Sequence, residues 1–325
     1  MTITHERIAL DTRAAATQIA LGDAAYPENL REIVSPPPRL YVRGTLAEGD
    51  ALAIAIVGSR QATSYGLAVA ERFAADLAAR GVTIVSGLAR GIDSAAHRGA
   101  LRAGGRTIAV LGSGVDVIYP PENRRLARDI EDHGAVVSQF EMGTRPLPGY
   151  FPARNRVIAG LSLAVVVVEA AERSGSLITA GFAGELGREV MAVPGPVTSV
   201  QSAGAHRLIQ DGAALVQTWD DVVGMLPLRW RDHIKDASTT AAVTAPLAST
   251  SAEQPNHLAH GQHAEGHVEA NRILAVLTEE PTDIDGIIER SGMSPGRASA
   301  VLVTLELEGR IRQLEGKRFV QVRLG

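Results

Sequence analysis

The chain has 325 residues and a net charge of −4, with 45% hydrophobic residues, 4% aromatic residues and no cysteine. This length is that of two average domains, and the hydrophobic content is enough for a sizeable core of mainly aliphatic side chains. The lack of cysteine excludes disulfides, thiolate zinc sites and cysteine nucleophiles, and the negative charge argues against a nucleic-acid-binding protein whose whole surface is basic.

Residues 1–50 are predicted to form a lead-in to the first domain. A helix is expected near Ala9–Ala20, and Arg39–Val42 is expected to be an edge strand. The first residues lack the apolar segment of a secretory signal, and no apolar run approaches the roughly 20 residues of a membrane span. We therefore expect a cytoplasmic protein that makes no membrane contact.

Residues 51–225 alternate apolar runs with helical patterns, which include Leu67–Arg80 and Ile92–Ala103. The apolar runs are continuous, and continuous runs are typical of strands buried on both faces. This order predicts an α/β domain with a mainly parallel sheet covered by helices. The predicted strands are Ala53–Val57, Val82–Ser86, Thr107–Leu111, Ala135–Ser138, Ala164–Val168, Val190–Val193 and Ala214–Gln217.

Residues 226–266 are predicted to be a flexible linker, because Ala237–His263 is rich in Ala, Ser, Thr, Pro and His and has little to pack. A solvated linker is favoured over a metal site for the histidines of this stretch, so no metal is expected. They are His257, His260, His263 and His267.

Residues 267–325 are predicted to be a small winged-helix domain of three helices and a hairpin. Its residues 268–325 contain nine acidic and eight basic residues, so a basic stripe for the major groove is missing. Contact of this domain with a protein or with a DNA strand is at least as good an interpretation as binding in the major groove of a duplex. The predicted elements are helices over Val268–Leu277, Asp283–Arg290 and from Ser294 to near Gly309, and strands over Ile311–Leu314 and Arg318–Val322.

Four glycine-rich turns follow strands of the first domain, and ligands of open parallel sheets bind beyond the carboxyl ends of the strands. The first turn contains Gly58, Ser59 and Arg60, and glycine allows the backbone to approach a ligand there. The helix amides beyond such a turn attract anions. The other turns are 86–93, 111–114 and 169–180.

The fourth turn is the richest in small hydroxylated residues, which make a dense set of hydrogen-bond donors. It contains Ser174, Gly175, Ser176 and Thr179. Charge and rings combine in a further segment, where Tyr150 and Phe151 precede Arg154, Asn155 and Arg156. Positive charge for phosphates and rings for bases favour a single strand of nucleic acid.

The patterns that would indicate catalysis are weaker than those that indicate anion binding. Asp93 and His97 share a helix face at four-residue spacing, but a helix-start Asp with His97 as its partner is favoured over a catalytic pair. The sequence has no Gly-x-Gly-x-x-Gly at the first turn and no phosphate-binding loop ending in Gly-Lys-Ser/Thr. Neither a dinucleotide cofactor nor ATP hydrolysis is therefore expected.

These motifs occur in one order that resembles the DNA-processing protein A family (DprA, also called Smf). Together they extend over most of the first 217 residues. The N-terminus has room only for a stub of the helical module that many members carry, and Ser138-Gln139 and Gly204-Ala205-His206 depart from the family's usual motifs. The matching runs are IVGSRQAT at 56–63, YG at 65–66, SGLARGID at 86–93, TIAVLGSGVDVIYP at 107–120, FPARNRVIAGLS at 151–162, VVEA at 167–170, SGSLITA at 174–180 and AVPGP at 192–196.

The resemblance implies an extended Rossmann-like domain that binds single-stranded DNA without enzymatic activity. It also implies a homodimer that loads the recombinase RecA and protects incoming strands during natural transformation. By resemblance, the DNA pocket contains Arg60, Arg154, Asn155 and Arg156, beside the turn from Ser174 to Thr179.

Two other hypotheses stay open from the residues alone. One is a nucleotide-processing enzyme, such as a phosphoribohydrolase, that uses Glu169 and the Asp93–His97 pair. The other is an interaction scaffold in which the glycine turns are purely structural.

Overall fold

The structure is a computed structural model, and it divides into two compact units, 1–244 and 245–325. It describes residues 16–235, 272–277, 282–291, 293, 298, 301, 302, 305, 306, 310–314 and 318–321. From position 236 onward the predicted flexible linker lies outside the described residues, and so do its histidines. Among the residues that are described, no helix is long and apolar enough to cross a membrane.

The first unit is built on a nine-stranded sheet whose predicted strands are confirmed, with bounds that differ by at most two residues. Strands β3 to β9 are parallel to one another, whereas β1 and β2 join the edge next to β6 in antiparallel pairing. The strands are β1 (Thr17–Ala20), β2 (Arg39–Gly44), β3 (Ala53–Val57), β4 (Thr83–Ser86), β5 (Thr107–Val110), β6 (Ala135–Ser138), β7 (Ala164–Val167), β8 (Glu189–Ala192) and β9 (Ala214–Leu215).

The strand order is β1-β2-β6-β5-β4-β3-β7-β8-β9. The chain lays β3, β4, β5 and β6 side by side, and then returns to the other side of β3 with β7. The strand order therefore reverses between β3 and β7, and such a reversal opens a crevice at the carboxyl ends of the strands.

Helices cover both faces of this sheet, as the unbroken burial of its central strands requires. Val57, Val165 and Val167 face the side where α5 and α6 pack. Ile54, Ile56 and Val166 face the side of α2, α3 and α8. The helices are α1 (Glu28–Arg31), α2 (Ser64–Ala78), α3 (Ile92–Arg102), α4 (Arg124–His133), α5 (Tyr150–Leu161), α6 (Gly175–Glu185), α7 (Ala203–Gln210), α8 (Trp219–Met225) and α9 (Leu228–Arg231), with 3-10 turns at Glu48–Ala51, Pro121–Asn123 and Val200–Ser202.

Two predictions about the borders of the first unit are wrong. A helix was expected near Ala9–Ala20, but the last four residues of this range form the strand β1. β1 lies at the edge of the sheet, the position that was expected for β2. Residues 226–235 were assigned to the linker, but Trp230 and Ile234 pack against the core beside α2. The sheet and its core therefore use parts of both the predicted lead-in and the predicted linker.

The second unit has its own apolar core, which includes Ile273, Ile287, Leu302 and Phe319. Residues 272–276 are helical, as are 298, 301, 302, 305 and 306, whereas the predicted start of the third helix at Ser294 lies outside the described residues. A short strand that was not predicted joins the expected hairpin. The elements are β10 (Thr282–Asp283), α10 (Ile284–Ser291), β11 (Ile311–Leu314) and β12 (Arg318–Gln321), in the sheet order β10-β12-β11.

Candidate functional site

A cavity of about 760 Å³ opens at the carboxyl edge of the sheet, where β3 and β7 end. Its volume falls within the range of about 300–1,000 Å³ that is usual for ligand pockets. The chain reversal between these two strands places the cavity there. Its lining comprises residues 57–61, Ala89, Asp93, Tyr119, Pro148, Phe151, Pro152, Arg154, Asn155, Ile158, Ala171, residues 173–176, Ile178, Thr179 and Gln201.

The turn after β3 supplies one wall of the cavity. The Ser59 amide donates to the Glu169 carbonyl over 2.6 Å, which joins this turn to the end of β7. A Cβ at Gly58 would lie 2.6 Å from Ile92 Cγ1 and 2.7 Å from the Glu169 carbonyl oxygen. Gly58 therefore allows close packing of the protein against itself, in addition to lining the cavity.

The opposite wall is the first turn of α6. Ser174 is the N-cap: its hydroxyl accepts from the Ser176 amide over 3.3 Å and lies 2.7 Å from the Ser176 hydroxyl. Gly175 is exposed, and a Cβ there would meet nothing within 4 Å. The free amides of a helix start attract anions, so this wall has the character that the sequence predicted for it.

Helix α5 separates the two arginines that the sequence grouped together. Residues two apart on a helix point in nearly opposite directions. Arg154 and Asn155 line the cavity, whereas the Arg156 guanidinium donates to the carbonyl of Val34. Arg156 is therefore not part of the cavity lining, whereas the other nine predicted residues line this one cavity.

Arg154 lies deep in the cavity with 4% of its surface exposed. Its guanidinium donates to the carbonyl of Gly87 and, over 2.9 Å, to that of Val110. Burial lowers the pKa of Arg154 to about 10, so the side chain stays charged at neutral pH. The residue thus ties together the ends of β4 and β5 at the base of the cavity.

Asp93 lies beside it, in the first turn of α3. Its Oδ2 accepts from the amides of Gly87 (3.1 Å) and Ala89 (3.3 Å). Burial raises the pKa of this carboxyl, and the nearby Arg154 charge partly offsets the rise. The expected partnership with His97 is wrong, because His97 Nδ1 lies 2.7 Å from the Thr107 hydroxyl instead.

One exposed arginine of the cavity escaped the sequence reasoning. Arg173 directly precedes the N-cap Ser174 and lines the cavity. Arg60 lies on the opposite wall, in the turn after β3. A basic residue beside the start of a helix that follows a buried strand is the signal that could have found it. Within the described parts of the chain, neither Arg60 nor Arg173 lies within 4.0 Å of a carboxylate oxygen, whereas Arg90 of the second turn pairs with Glu122.

The third glycine turn, 111–114, is not part of the cavity lining. Gly112 packs against the Phe151 ring, which a Cβ would approach to 3.0 Å. A Cβ at Gly114 would lie 2.7 Å from the Glu141 carbonyl oxygen. Their role is to let the aromatic segment and the loop after β6 pack closely.

Aromatic rings complete the cavity. Phe151 lies 6.1 Å from Tyr119 between ring centroids, and the Arg60 guanidinium lies 5.1 Å above the Phe151 ring. Tyr119 is 40% exposed. The described residues contain no group of acidic and histidine side chains that could hold a metal ion. The arrangement therefore combines exposed positive charge, helix amides and rings in one cavity.

Comparison with known proteins identifies both units. A family model described as DNA recombination-mediator protein A matches residues 17–227, and one described as DprA winged helix domain matches 261–317. Protein Smf of Synechocystis is 38% identical over 311 residues, which span 91% of this chain and 78% of that protein. The DNA processing protein DprA of Streptococcus pneumoniae is 47% identical over 201 residues, 62% of this chain and 71% of that protein.

Solved structures agree with this assignment. The crystal structure of DprA from Streptococcus pneumoniae matches 66% of this chain and 75% of its own, at 44% identity and a TM-score of 0.62. DNA processing protein A from Helicobacter pylori, whose structure describes a single-stranded DNA binding mode, matches 64% and 94% at 29% identity and a TM-score of 0.57. With both parts of its architecture matched in order, the chain belongs to the DNA recombination-mediator protein A family, with an extended Rossmann-like domain followed by a winged-helix domain.

Proposed function

We propose that this protein binds single-stranded DNA in the cavity at the ends of β3 and β7. The observation that carries the proposal is the pair Arg60 and Arg173, on opposite walls of a cavity that also holds the start of α6. Both are exposed, and among the described residues neither forms an ion pair within 4.0 Å. The Helicobacter pylori relative is described as binding single-stranded DNA, which supports the same ligand here.

The chemistry of the cavity favours a single strand over a free small anion. Two arginines on opposite walls suit successive phosphates of one backbone, and the rings of Tyr119 and Phe151 offer apolar surface to bases. Positive grooves combined with aromatic rings are the usual means of holding single strands without sequence preference.

The test is the binding of a labelled oligo-dT, followed by fluorescence anisotropy at several salt concentrations. Arg60→Ala and Arg173→Ala are each expected to weaken binding and to reduce the slope of log K against log salt by about 0.7, the value for one phosphate contact on a single strand. Arg156→Ala removes the same charge from the far side of α5 and is the matched control. Equal effects of all three substitutions would place the DNA elsewhere.

We also propose that the protein has no enzymatic activity. The carboxylate of Glu169, the acid that the nucleotide-enzyme hypothesis needs, accepts from the amide and the hydroxyl of Thr63 and is not part of the cavity lining. Asp93 and His97 have separate hydrogen-bond partners. Incubation with nucleoside monophosphates should yield no free base, and release of base that is lost in Glu169→Gln would contradict the proposal.

For the cellular role we propose a cytoplasmic homodimer that loads RecA onto single strands and protects them during natural transformation and recombination. The family description as a recombination mediator supports this role. Added protein should speed RecA filament assembly on strands that are coated with single-strand-binding protein, and light scattering should give the mass of a dimer. No acceleration, or the mass of a monomer, would remove the corresponding part of the proposal.

A further inference from the structure

A second group of arginines lies outside the cavity, on helices α3 and α4 and the segment between them. Residues 90–128 contain seven arginines and three acidic residues, although the net charge of the whole chain is −4. Two of the three acids, Asp93 and Asp116, are buried, and the third, Glu122, pairs with Arg90. The exposed side chains of this part of the chain therefore carry an excess of positive charge.

Two arginines of this group offer their charge directly to solvent. Arg98 of α3 and Arg125 of α4 are exposed, and among the described residues neither forms an ion pair within 4.0 Å. Arg102, one turn beyond Arg98, differs because it pairs with Glu71. Arg98 and Arg125 are therefore the members of the group that can take up an external anion without first losing a carboxylate.

The charges of α4 are placed against the preference of an isolated helix. Arg124 and Arg125 occupy its first turn, which contains no acidic residue. The positive end of the helix dipole disfavours basic side chains there, so the stability of the helix does not account for them. The second half of α4 carries Asp129, Glu131 and Asp132. Positive charge is thus concentrated at the end of α4 that follows the carboxyl edge of β5.

The rim of the cavity connects directly to these helices. Ala89 and Tyr119 line the cavity, and they lie shortly before α3 and α4 in the chain. The Asn123 side-chain amide donates to the Leu88 carbonyl and to the Ser94 hydroxyl, over 2.8 Å in each case. These bonds fix the start of α4 beside the first turn of α3, and both helix starts border the cavity.

α3 and α4 lie side by side on one face of the sheet. Leu101 of α3 packs against the same apolar cluster as Leu126 and Ile130 of α4. The helices lead into the parallel strands β5 and β6, so both return from the carboxyl edge of the sheet and run in the same direction. Arg98 and Arg125 therefore lie within the first two turns of neighbouring helices, next to the rim of the cavity.

We infer that a single strand longer than the cavity continues across its rim onto α3 and α4, where Arg98 and Arg125 contact phosphates. This inference rests on the proposed binding of single-stranded DNA. The planar fork of arginine suits the paired oxygens of a phosphate. The sequences of α3 and α4 contain no Phe, Tyr or Trp, so this surface offers charge to the backbone but no ring on which bases could stack.

Strand length separates this surface from the cavity. The test compares oligo-dT of about five and about fifteen nucleotides, which bracket the usual extent of one single-strand site. Arg98→Ala and Arg125→Ala are each expected to reduce the slope of log K against log salt by about 0.7 for the longer strand and to leave it unchanged for the shorter one. The longer strand should then bind about fivefold more weakly at about 0.1 M salt, since a slope of about 0.7 acts over one decade below 1 M.

Two controls separate charge from other effects of the substitutions. Arg156→Ala removes the same charge from α5, which packs on the opposite face of the sheet, and should follow the wild type at both lengths. Arg98→Lys and Arg125→Lys keep the charge and should keep the slope for the longer strand, because the slope counts neutralised phosphates.

The outcomes distinguish this inference from the proposed function. If the wild type gives the same slope at both lengths, or if the alanine variants leave the longer strand unchanged, no phosphate binds on α3 and α4 and the inference is overturned. If they weaken both lengths equally, their charge acts on the cavity alone, and the inference is again overturned. Single-strand binding stands in each of these cases, whereas folded wild-type protein that binds neither strand would remove the proposed function itself.

Discussion

Burial gives the three arginines of the cavity different roles. Arg60 and Arg173 are exposed, and among the described residues neither forms an ion pair within 4.0 Å. The Arg154 guanidinium donates its hydrogen bonds to the carbonyls of Gly87 and Val110. A Cβ at Gly87 would lie 1.8 Å from the Arg154 Nη1. Such tight packing leaves a buried guanidinium little freedom to turn toward a ligand, so its main contribution is to stability.

Arg154→Ala should therefore lower the free energy of unfolding, because it removes the donor from two buried carbonyls. Each orphaned buried group costs about 1–3 kcal/mol. Urea denaturation monitored by circular dichroism measures the loss. Arg156→Ala, in which water can replace the guanidinium at the Val34 carbonyl, should change the midpoint little. Equal midpoints for the two variants would contradict the structural role of Arg154.

The titration of His97 is linked to folding. It is fully buried, and burial lowers its pKa from 6.5 to about 3, with smaller contributions from Arg154 and Arg98. The Thr107 hydroxyl donates to the Ile84 carbonyl over 2.8 Å, so it accepts from His97 Nδ1–H. The native structure thus holds the neutral ring with its proton on Nδ1.

Stability should fall as the pH drops below 6.5. Between pH 6.5 and about 3 the unfolded chain binds a proton on His97 that the folded chain does not, so unfolding becomes more favourable. The contribution is present in full above pH 6.5. Urea midpoints measured between pH 7.5 and 4.5 should fall less in His97→Gln than in wild type. His133→Gln, at the exposed end of α4, is the control and should follow the wild-type curve.

At the scale of elements, one interaction joins the start of α2 to the end of β7. Thr63 caps α2 by accepting from the Gly66 amide (3.1 Å), and it donates from its own hydroxyl (2.5 Å) and amide (2.9 Å) to the Glu169 carboxylate. A Cβ at Gly66 would lie 2.3 Å from that carboxylate. Glu169 therefore fixes the start of α2 relative to the end of β7.

Thr63→Val should destabilise the protein by about 1–2 kcal/mol through loss of the cap, and Glu169→Gln should also destabilise it. Because both substitutions break the same contact, their effects should be less than additive in the double variant. The free energies of unfolding of the four proteins form the cycle that measures this. Additive losses would show that Glu169 acts independently of Thr63.

The sheet strands were predictable because burial on both faces leaves a continuous apolar run for each strand, as in Ala53–Val57. Strand β1 was not predictable, because it forms through antiparallel pairing with β2. The local Ala-rich sequence does not reveal this pairing. The sequence analysis did not predict helix α5, and it therefore placed Arg154 and Arg156 in the same site. Their opposite directions follow from helix geometry alone.

At the scale of the whole molecule, strand order assembles the site. Turns after β3 and β7 are far apart in sequence and meet because the chain returns to the far side of β3. The sequence identified those turns and nine residues of the cavity. It gave no signal that Asp93 lies at the base beside Arg154, since α3 and α5 contribute these side chains and only tertiary packing brings them together.

Every residue that lines the cavity belongs to the first compact unit, which ends at residue 244. The apolar clusters on both faces of the sheet lie within that unit, and residues up to Ile234 pack against one of them. A protein of residues 1–244 should therefore fold and should bind a short oligo-dT with the same affinity and salt slope as the full chain. Anisotropy titrations of both proteins at three salt concentrations test this. A smaller slope in the shortened protein would show that the winged-helix domain contacts phosphates as well, since each lost contact removes about 0.7 from the slope.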